Sequence, residues 1–310
     1  MIRSTSRGRV AGERNVGTTT DTAIDTSISV RTARHYRQIH RLAHVIQDFA
    51  AGGVLTLQHS ETESRRFGFS VARLLVPVGQ SHSDDAVIAL VRESSSALII
   101  LRAESTRDSL FQELRALRAF ESLHADTLCY YHWALANSEN DNQERSGLSI
   151  EHGGAWREID EILTKSFQEY KNHYSMNSRL SSGVTLSAYQ QWAAGLMQDS
   201  QSVALIARDH TTGQALGFVL LIVDEPHALA EVALNAVRPD AQRGGVYSTL
   251  MQSARAHLAH ETDIRDLYIS TQIGNTAVIA AWKKLGLTPH LDLCTYHLMR
   301  RDAFDSAAPH

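Results

Sequence analysis

Apolar and polar positions divide the chain into segments of distinct character. Residues 1–30 hold Ser, Thr, Gly and Arg with almost no large apolar side chain, too little to bury for independent folding, and read as a disordered leader. Over 31–50, Tyr36, Ile39, Leu42, Ala43, Ile46 and Phe49 recur at helical steps and predict one face of an amphipathic helix. His40 and His44 lie one turn apart on it, but without a third ligand they read as a solvated face. Residues 71–78 and 97–101 read as strands, the second a continuous apolar run suited to burial on both faces. Leu110, Leu114, Leu117 and Phe120 form a further helical stripe. Strands alternating with helices predict a small α/β unit over 31–137.

Residues 138–146 are polar and turn-rich and predict an interdomain linker. Beyond it the pattern predicts strands at 148–152, 203–208, 215–224, 230–237, 267–271 and 293–299. Helices are predicted at 155–170, 186–198, 247–260 and 276–285. The expected organisation is a second α/β domain over 147–303 with a short tail at 304–310.

Length and composition narrow the picture only modestly. A chain of 310 residues can bury two cores. The net charge of −4 gives no reason to expect nucleic acid or an anionic membrane as partner. No apolar run reaches the ~20 residues that span a bilayer. Cys129 and Cys294 match no metal spacing and read as two buried thiols of a cytoplasmic protein, so no metal is expected.

Candidate chemistry concentrates in Val237-Arg238-Pro239-Asp240-Ala241-Gln242-Arg243-Gly244-Gly245-Val246-Tyr247. Here a predicted strand runs into a glycine-bearing loop that opens onto a helix. Unpaired backbone N–H groups and the positive end of the helix dipole then converge on one point, suited to a phosphate or pyrophosphate.

This loop, followed by Asn275-Thr276-Ala277-Val278-Ile279-Ala280-Ala281-Trp282-Lys283-Lys284-Leu285-Gly286-Leu287, resembles the GNAT superfamily of N-acetyltransferases. The resemblance implies an α/β (α+β) fold in which helices flank a mixed, twisted central sheet, with the N-terminal unit a smaller, partial version of the same fold. It implies acetyl-CoA or another acyl-CoA as co-substrate. Val237, Gln242, Arg243, Gly244, Gly245, Val246, Tyr247, Asn275 and Trp282 would form its binding site, with the Val237 N–H facing the acyl carbonyl. Two positions depart from the family pattern: Tyr247 stands where a small residue is usual, and Trp282 where a tyrosine protonates the leaving thiolate. Tyr296 is the expected replacement acid, with Tyr268 behind it. Glu231 occupies the family's usual position for a carboxylate base, and His173 is a second candidate by its near-neutral titration. Cys294 has no paired base in sequence, which argues against an acyl-cysteine.

A narrower resemblance, to TDP-fucosamine acetyltransferases, rests on three stretches. They are Phe167 to Leu180 with Tyr189 and Trp192, the run from Ser270 to Asn275, and Arg66-Phe67-Gly68-Phe69-Ser70-Val71-Ala72-Arg73-Leu74. It implies a nucleotide-linked amino sugar as acceptor, with Tyr174, Asn177 and Trp192 lining its site. Phe167, Tyr170 and Trp192 fit packed helix faces equally. The expected partner is a small-molecule amine, with no nucleic acid and no membrane, and a homodimer is left open. Other acceptors (an amino acid, an antibiotic, a protein amine) and a non-catalytic acyl-CoA-binding scaffold remain alternatives.

Overall fold

A computed structural model describes residues 55–78, 82–135, 147–168, 170–180 and 184–305. The leader over 1–30, the helix over 31–50 with His40 and His44, and the linker over 138–146 fall outside these residues.

The N-terminal half comprises β1 (Leu57–His59), α1 (Glu61–Phe67), β2 (Val71–Leu75), α2 (Asp84–Glu93), β3 (Leu98–Glu104), α3 (Asp108–Ala116) and β4 (Phe120–Ala134). The C-terminal half comprises β5 (Leu148–His152), α4 (Trp156–Phe167), α5 (Val184–Met197), β6 (Ser202–Asp209), β7 (Ala215–Asp224) and β8 (Leu229–Val237), then α6 (Val246–Glu261), β9 (Asp266–Gln272), α7 (Thr276–Lys284), β10 (Thr288–Arg300) and α8 (Arg301–Asp305). The strands form one mixed sheet in the order β1-β2-β3-β10-β4-β9-β8-β7-β6-β5. The two halves exchange their last strands. β10 lies between β3 and β4, and β4 in turn lies against β9.

Several boundaries differ from the sequence expectation: β2 ends at Leu75 rather than 78, β3 continues to Glu104 rather than 101, α4 ends at Phe167 rather than 170, and β10 begins at Thr288 rather than 293. The helical stripe was expected to include Phe120, but α3 ends at Ala116 and Phe120 opens β4. Leu110, Leu114 and Phe120 all enter the same core, so the apolar spacing continues after the helix has stopped.

Alternation along the strands gives the sheet two faces. Ile99, Leu101, Tyr296 and Leu298 point into the core under α2 and α3. On the same face, Val219, Leu221, Ala230 and Val232 pack beneath α6. The opposite face carries α4 and α5 over Phe218, Leu220, Leu234 and Ala236. There the segment 170–180 also packs, with Tyr174 and Leu180 against Val71, Leu98, Ile100 and Met299. Among the described residues no helix is long and apolar enough to cross a membrane.

A buried polar network pins that segment to the N-terminal half. Arg73 donates two hydrogen bonds of 2.6 Å to the Glu63 carboxylate. The Tyr174 hydroxyl donates to the same carboxylate and accepts from Arg73 Nη2 at 2.8 Å. Burial pushes the Glu63 carboxyl up, but the Arg73 charge and the hydrogen bonds of Arg73, Tyr174 and Ser60 outweigh it and hold the pKa at about 2. Arg73→Met leaves this carboxylate buried without its cation and is expected to cost about 3–5 kcal/mol, read from the midpoint of urea unfolding. Because the folded-state pKa lies below the ordinary value of 4.5, the pair's stabilisation is complete above that pH and disappears as pH falls toward 2. The gap between wild type and variant should therefore close on acidification. A gap that stays constant would mean the pair is not held ionised.

Candidate active site

The cleft originates in the sheet itself. β8 and β9 pair in parallel only over 229–232 and 266–269. β8 then bulges at Ala233, where Val232 opposes Leu221 but Leu234 opposes the neighbouring Leu220. One extra residue reverses the alternation, so Val232 faces the α6 side and Leu234 the α4 side. Past the bulge the strands part, and a cavity of about 530 Å³ opens between the end of β8 and the end of β9.

The loop after β8 borders the cavity, which Gln242 and Tyr247 line. Arg243 and Gly245 have positive φ, 63° and 82°, and such left-handed residues turn successive N–H groups toward one side. Among the described residues, the backbone N–H groups of 243–248 have no acceptor, and they stand at the start of the 16-residue α6. Fixed donors at the positive end of a long helix fit the phosphates of a coenzyme A. The Gln242 side chain does not point into this cradle. Its Nε2 donates to the Val237 carbonyl at 3.2 Å and ties the loop back to β8.

The Val237 N–H is placed by strand register. The Arg238 N–H bonds the Leu216 carbonyl at 2.8 Å, so the adjacent Gly217–Val237 pair is of the non-hydrogen-bonded kind. The Val237 N–H therefore points away from β7 and into the gap between β8 and β9. A Cβ on Gly217 would lie 2.8 Å from the Ala236 carbonyl oxygen, so glycine is what lets β7 lie this close.

Glu231 and Tyr247 place titratable side chains on the cavity wall. Glu231 lines it, and burial pushes its carboxyl up to about 7 although the charge of Arg102 pulls it down. The Trp282 Nε1–H donates to the Tyr247 hydroxyl oxygen at 2.6 Å. Indole is a donor only, so the phenol accepts here and keeps its own proton for another group. Burial raises the Tyr247 hydroxyl far above its ordinary value, which keeps it protonated. Asn275 begins α7 and its Nδ2 donates to Thr271 Oγ1 at 3.1 Å, fixing this helix to β9.

Several expected site residues lie elsewhere or act otherwise. Tyr296 does not reach the cleft. Its ring stacks on Phe111 at 4.8 Å and its hydroxyl accepts from Arg115 at 2.9 Å, in the core on the opposite face of the sheet. The strand period decides this, since Thr295 and His297 face the segment 170–180 and Tyr296 cannot. His173 lines the cavity but is not presented as a base. Asn177 Nδ2 donates to His297 Nδ1 at 3.0 Å, so the His297 proton sits on Nε2 and is donated to His173 Nδ1 at 2.9 Å. The His173 proton is then on Nε2. Burial pushes His297 down to about 3, keeping it neutral. Asn177, 2% exposed, is held in this inner network and does not line the cavity, whereas Tyr174 lines it while its hydroxyl is bound to Glu63 and Arg73. Trp192 does line the cavity, beside Tyr189. Tyr268, the second choice of acid, packs at an angle against the rings of His132 and His290, and burial pushes it up to about 12. Burial also raises both thiols, Cys129 to about 12 and Cys294 in the same direction, so neither is an activated nucleophile.

The structure adds residues that the sequence reading passed over. Arg102 of β3 and Asp126 and Tyr130 of β4, all from the N-terminal half, line the same cavity as Glu231. A charged residue directly after the apolar run 97–101 was the available signal. Its meaning depended on which strands meet.

Comparison with known proteins bears on the fold that carries this site. A family model described as the acetyltransferase (GNAT) family matches residues 156–287. No curated protein matches the sequence. Among solved structures, a tandem GNAT protein from the clavulanic acid biosynthesis pathway, without acetyl-CoA, is similar at 16% identity and a TM-score of 0.50, over 73% of this chain and 74% of that one. A GCN5-related N-acetyltransferase from Sphaerobacter thermophilus is similar at 9% identity and a TM-score of 0.51, over 88% and 92%. One from Kribbella flavida is similar at 13% identity and a TM-score of 0.51, over 88% and 95%. At these identities the likenesses establish the fold.

Proposed function

We infer that, with residues 156–287 belonging to the acetyltransferase (GNAT) family, this enzyme moves an acyl group from acyl-CoA to an amine in the cleft between β8 and β9. The observation that carries the assignment of roles is that Glu231, Val237, Gln242 and Tyr247 line one cavity, beside the loop whose N–H groups at 243–248 have no acceptor among the described residues. The co-substrate supplies an activated acyl carbonyl. The N–H groups of 243–248 would hold its phosphates, and the Val237 N–H would donate to the carbonyl oxygen as negative charge collects there. Glu231, whose carboxyl burial pushes up to about 7, would take the proton from the acceptor amine. Tyr247, oriented by Trp282, would donate its hydroxyl proton toward the departing sulfur, the role the sequence had suggested for Tyr296.

The acceptor is a small polar amine. The aromatic faces of Tyr170, Tyr189 and Trp192 on the cavity wall would suit a sugar or a base, which supports a nucleotide-linked amino sugar. A non-catalytic acyl-CoA-binding scaffold is the competing reading, favoured by Trp282 standing where a tyrosine is usual. Thiol release from acetyl-CoA, measured with and without a panel of amines, separates the two. Release that depends on an acceptor supports the enzyme, and tight binding with no release supports the scaffold. Tyr247→Phe is expected to lower kcat about 10- to 100-fold, within the range for a positioned proton donor, and to leave acetyl-CoA affinity unchanged. An unchanged kcat would remove Tyr247 from the chemistry.

A further inference from the structure

Arg102 is the feature of the cavity that the transfer chemistry does not use. It sits on β3, opposite Thr295 of β10, and its side chain leaves the strand on the face occupied by segment 170–180. Its Nε donates to Thr295 Oγ1 at 3.2 Å, which fixes the base of the guanidinium. Among the described residues its terminal nitrogens pair with no carboxylate. The neighbouring arginine in the cavity, Arg73, is already committed to Glu63 and Tyr174. Arg102 is therefore a preset cation lining the cavity, with its planar terminal donors available.

Two carboxyl groups face the same space, and neither forms an ion pair with it. Glu231 and Asp126 both line the cavity and both feel the Arg102 charge. Asp126 is bound locally, accepting from the Thr127 N–H at 2.7 Å. The wall thus presents a guanidinium on the N-terminal half and a candidate base on β8, with the opening between them left for a ligand. A lone arginine in a partly desolvated cavity favours a ligand that brings the missing negative charge.

We propose that the acceptor amine carries an anionic group, a carboxylate or a phosphate, that pairs with Arg102 and thereby delivers the amine to Glu231. This rests on the acyltransferase reading above and narrows its acceptor to zwitterionic amines. Arg102 is then a specificity-determining residue supplied by the N-terminal half. This also gives that half a function, although the anion cradle lies in the C-terminal half.

The test uses the full chain and matched pairs of amines that differ only in the anion. Suitable pairs are α-amino acids against their amides, phosphoethanolamine against ethanolamine, and nucleotide-linked amino sugars against the free amino sugars. Thiol release from acetyl-CoA is measured for wild type, Arg102→Met and Arg102→Lys, and acetyl-CoA binding by calorimetry checks that each variant is folded. Wild type should prefer the anionic member of at least one pair. Arg102→Met should raise KM for that member about 10- to 150-fold, in the range of a lost charge-assisted hydrogen bond, with a smaller change in kcat. Arg102→Lys should recover part of the loss, and acetyl-CoA affinity should not change. Preference for an amino acid or for a phosphate ester tells the two sources of the anion apart. Neutral amines used as well as anionic ones, or a preference that survives Arg102→Met, overturns the proposal while leaving the transferase reading intact. If acetyl-CoA binds and no amine is acetylated, the transferase reading fails. Calorimetric titration of the same anionic amines into wild type and Arg102→Met then still decides the pairing. Binding lost in the variant supports it, and no binding to wild type overturns it.

Discussion

Glu231→Gln is expected to lower kcat by about 10²- to 10³-fold, the usual contribution of a general base, while acetyl-CoA affinity stays within about twofold. The substitution keeps shape and removes the group that accepts the proton. Because burial pushes this carboxyl up to about 7, the wild-type rate should rise with pH through neutrality and level off above it, and the residual rate of the variant should lack that limb. The same shift has an opposite consequence for stability. The unfolded chain ionises near 4.5 and the folded one near 7, so the contribution of Glu231 to stability is lost as pH rises between these values. Glutamine does not ionise, so Glu231→Gln should match wild type in stability at pH 4 and exceed it at pH 8. A variant that is less stable at pH 8, or that keeps the rising limb, would remove Glu231 from the role of base.

Gly245→Glu is expected to weaken acetyl-CoA binding by more than about 100-fold. Two effects combine. The residue has φ of 82°, a left-handed conformation that costs an L-amino acid about 1–2 kcal/mol. Its carboxylate would also sit at the positive end of α6 and satisfy the donors meant for the phosphates. Gly245→Ala carries the strain without the charge and should lose far less, about tenfold. Calorimetric titration of both variants with acetyl-CoA distinguishes charge from strain. Equal losses would mean that the loop acts only through its backbone shape, and normal affinity in Gly245→Glu would remove the loop from the cofactor site.

The sequence determined those parts of the protein that local physics controls. Period-2 and helical spacing placed β5 through β9 and α4 through α7 close to their observed bounds and found only the part of β10 from residue 293 onward, because most of these elements bury one face. The junction from β8 into α6 was legible for the same reason. Glycine at 245 and a strand running directly into a helix mark a candidate anion site with no help from distant contacts. Glu231 and Trp282 could be named because the resemblance to the GNAT superfamily assigns roles to their positions.

Tertiary structure decided what depends on which strands meet. The exchange of β10 and β4 between the halves leaves no trace in periodicity, since a strand buried on both faces reads the same beside any neighbour. It nevertheless settles which side chains share a cavity. One residue of alternation turns Tyr296 into the core under α3 and His297 toward segment 170–180. His173 was a plausible base in isolation, but the chain from Asn177 through His297 fixes its proton on Nε2. Tyr247 counted as a departure from the expected loop until its hydroxyl was found against the indole of Trp282, across 35 positions of sequence. Arg102 reaches the cleft only because β10 inserts between β3 and β4 and joins the two halves in one sheet. A charge is legible in sequence, but what it faces is fixed by the pairing of strands far apart along the chain.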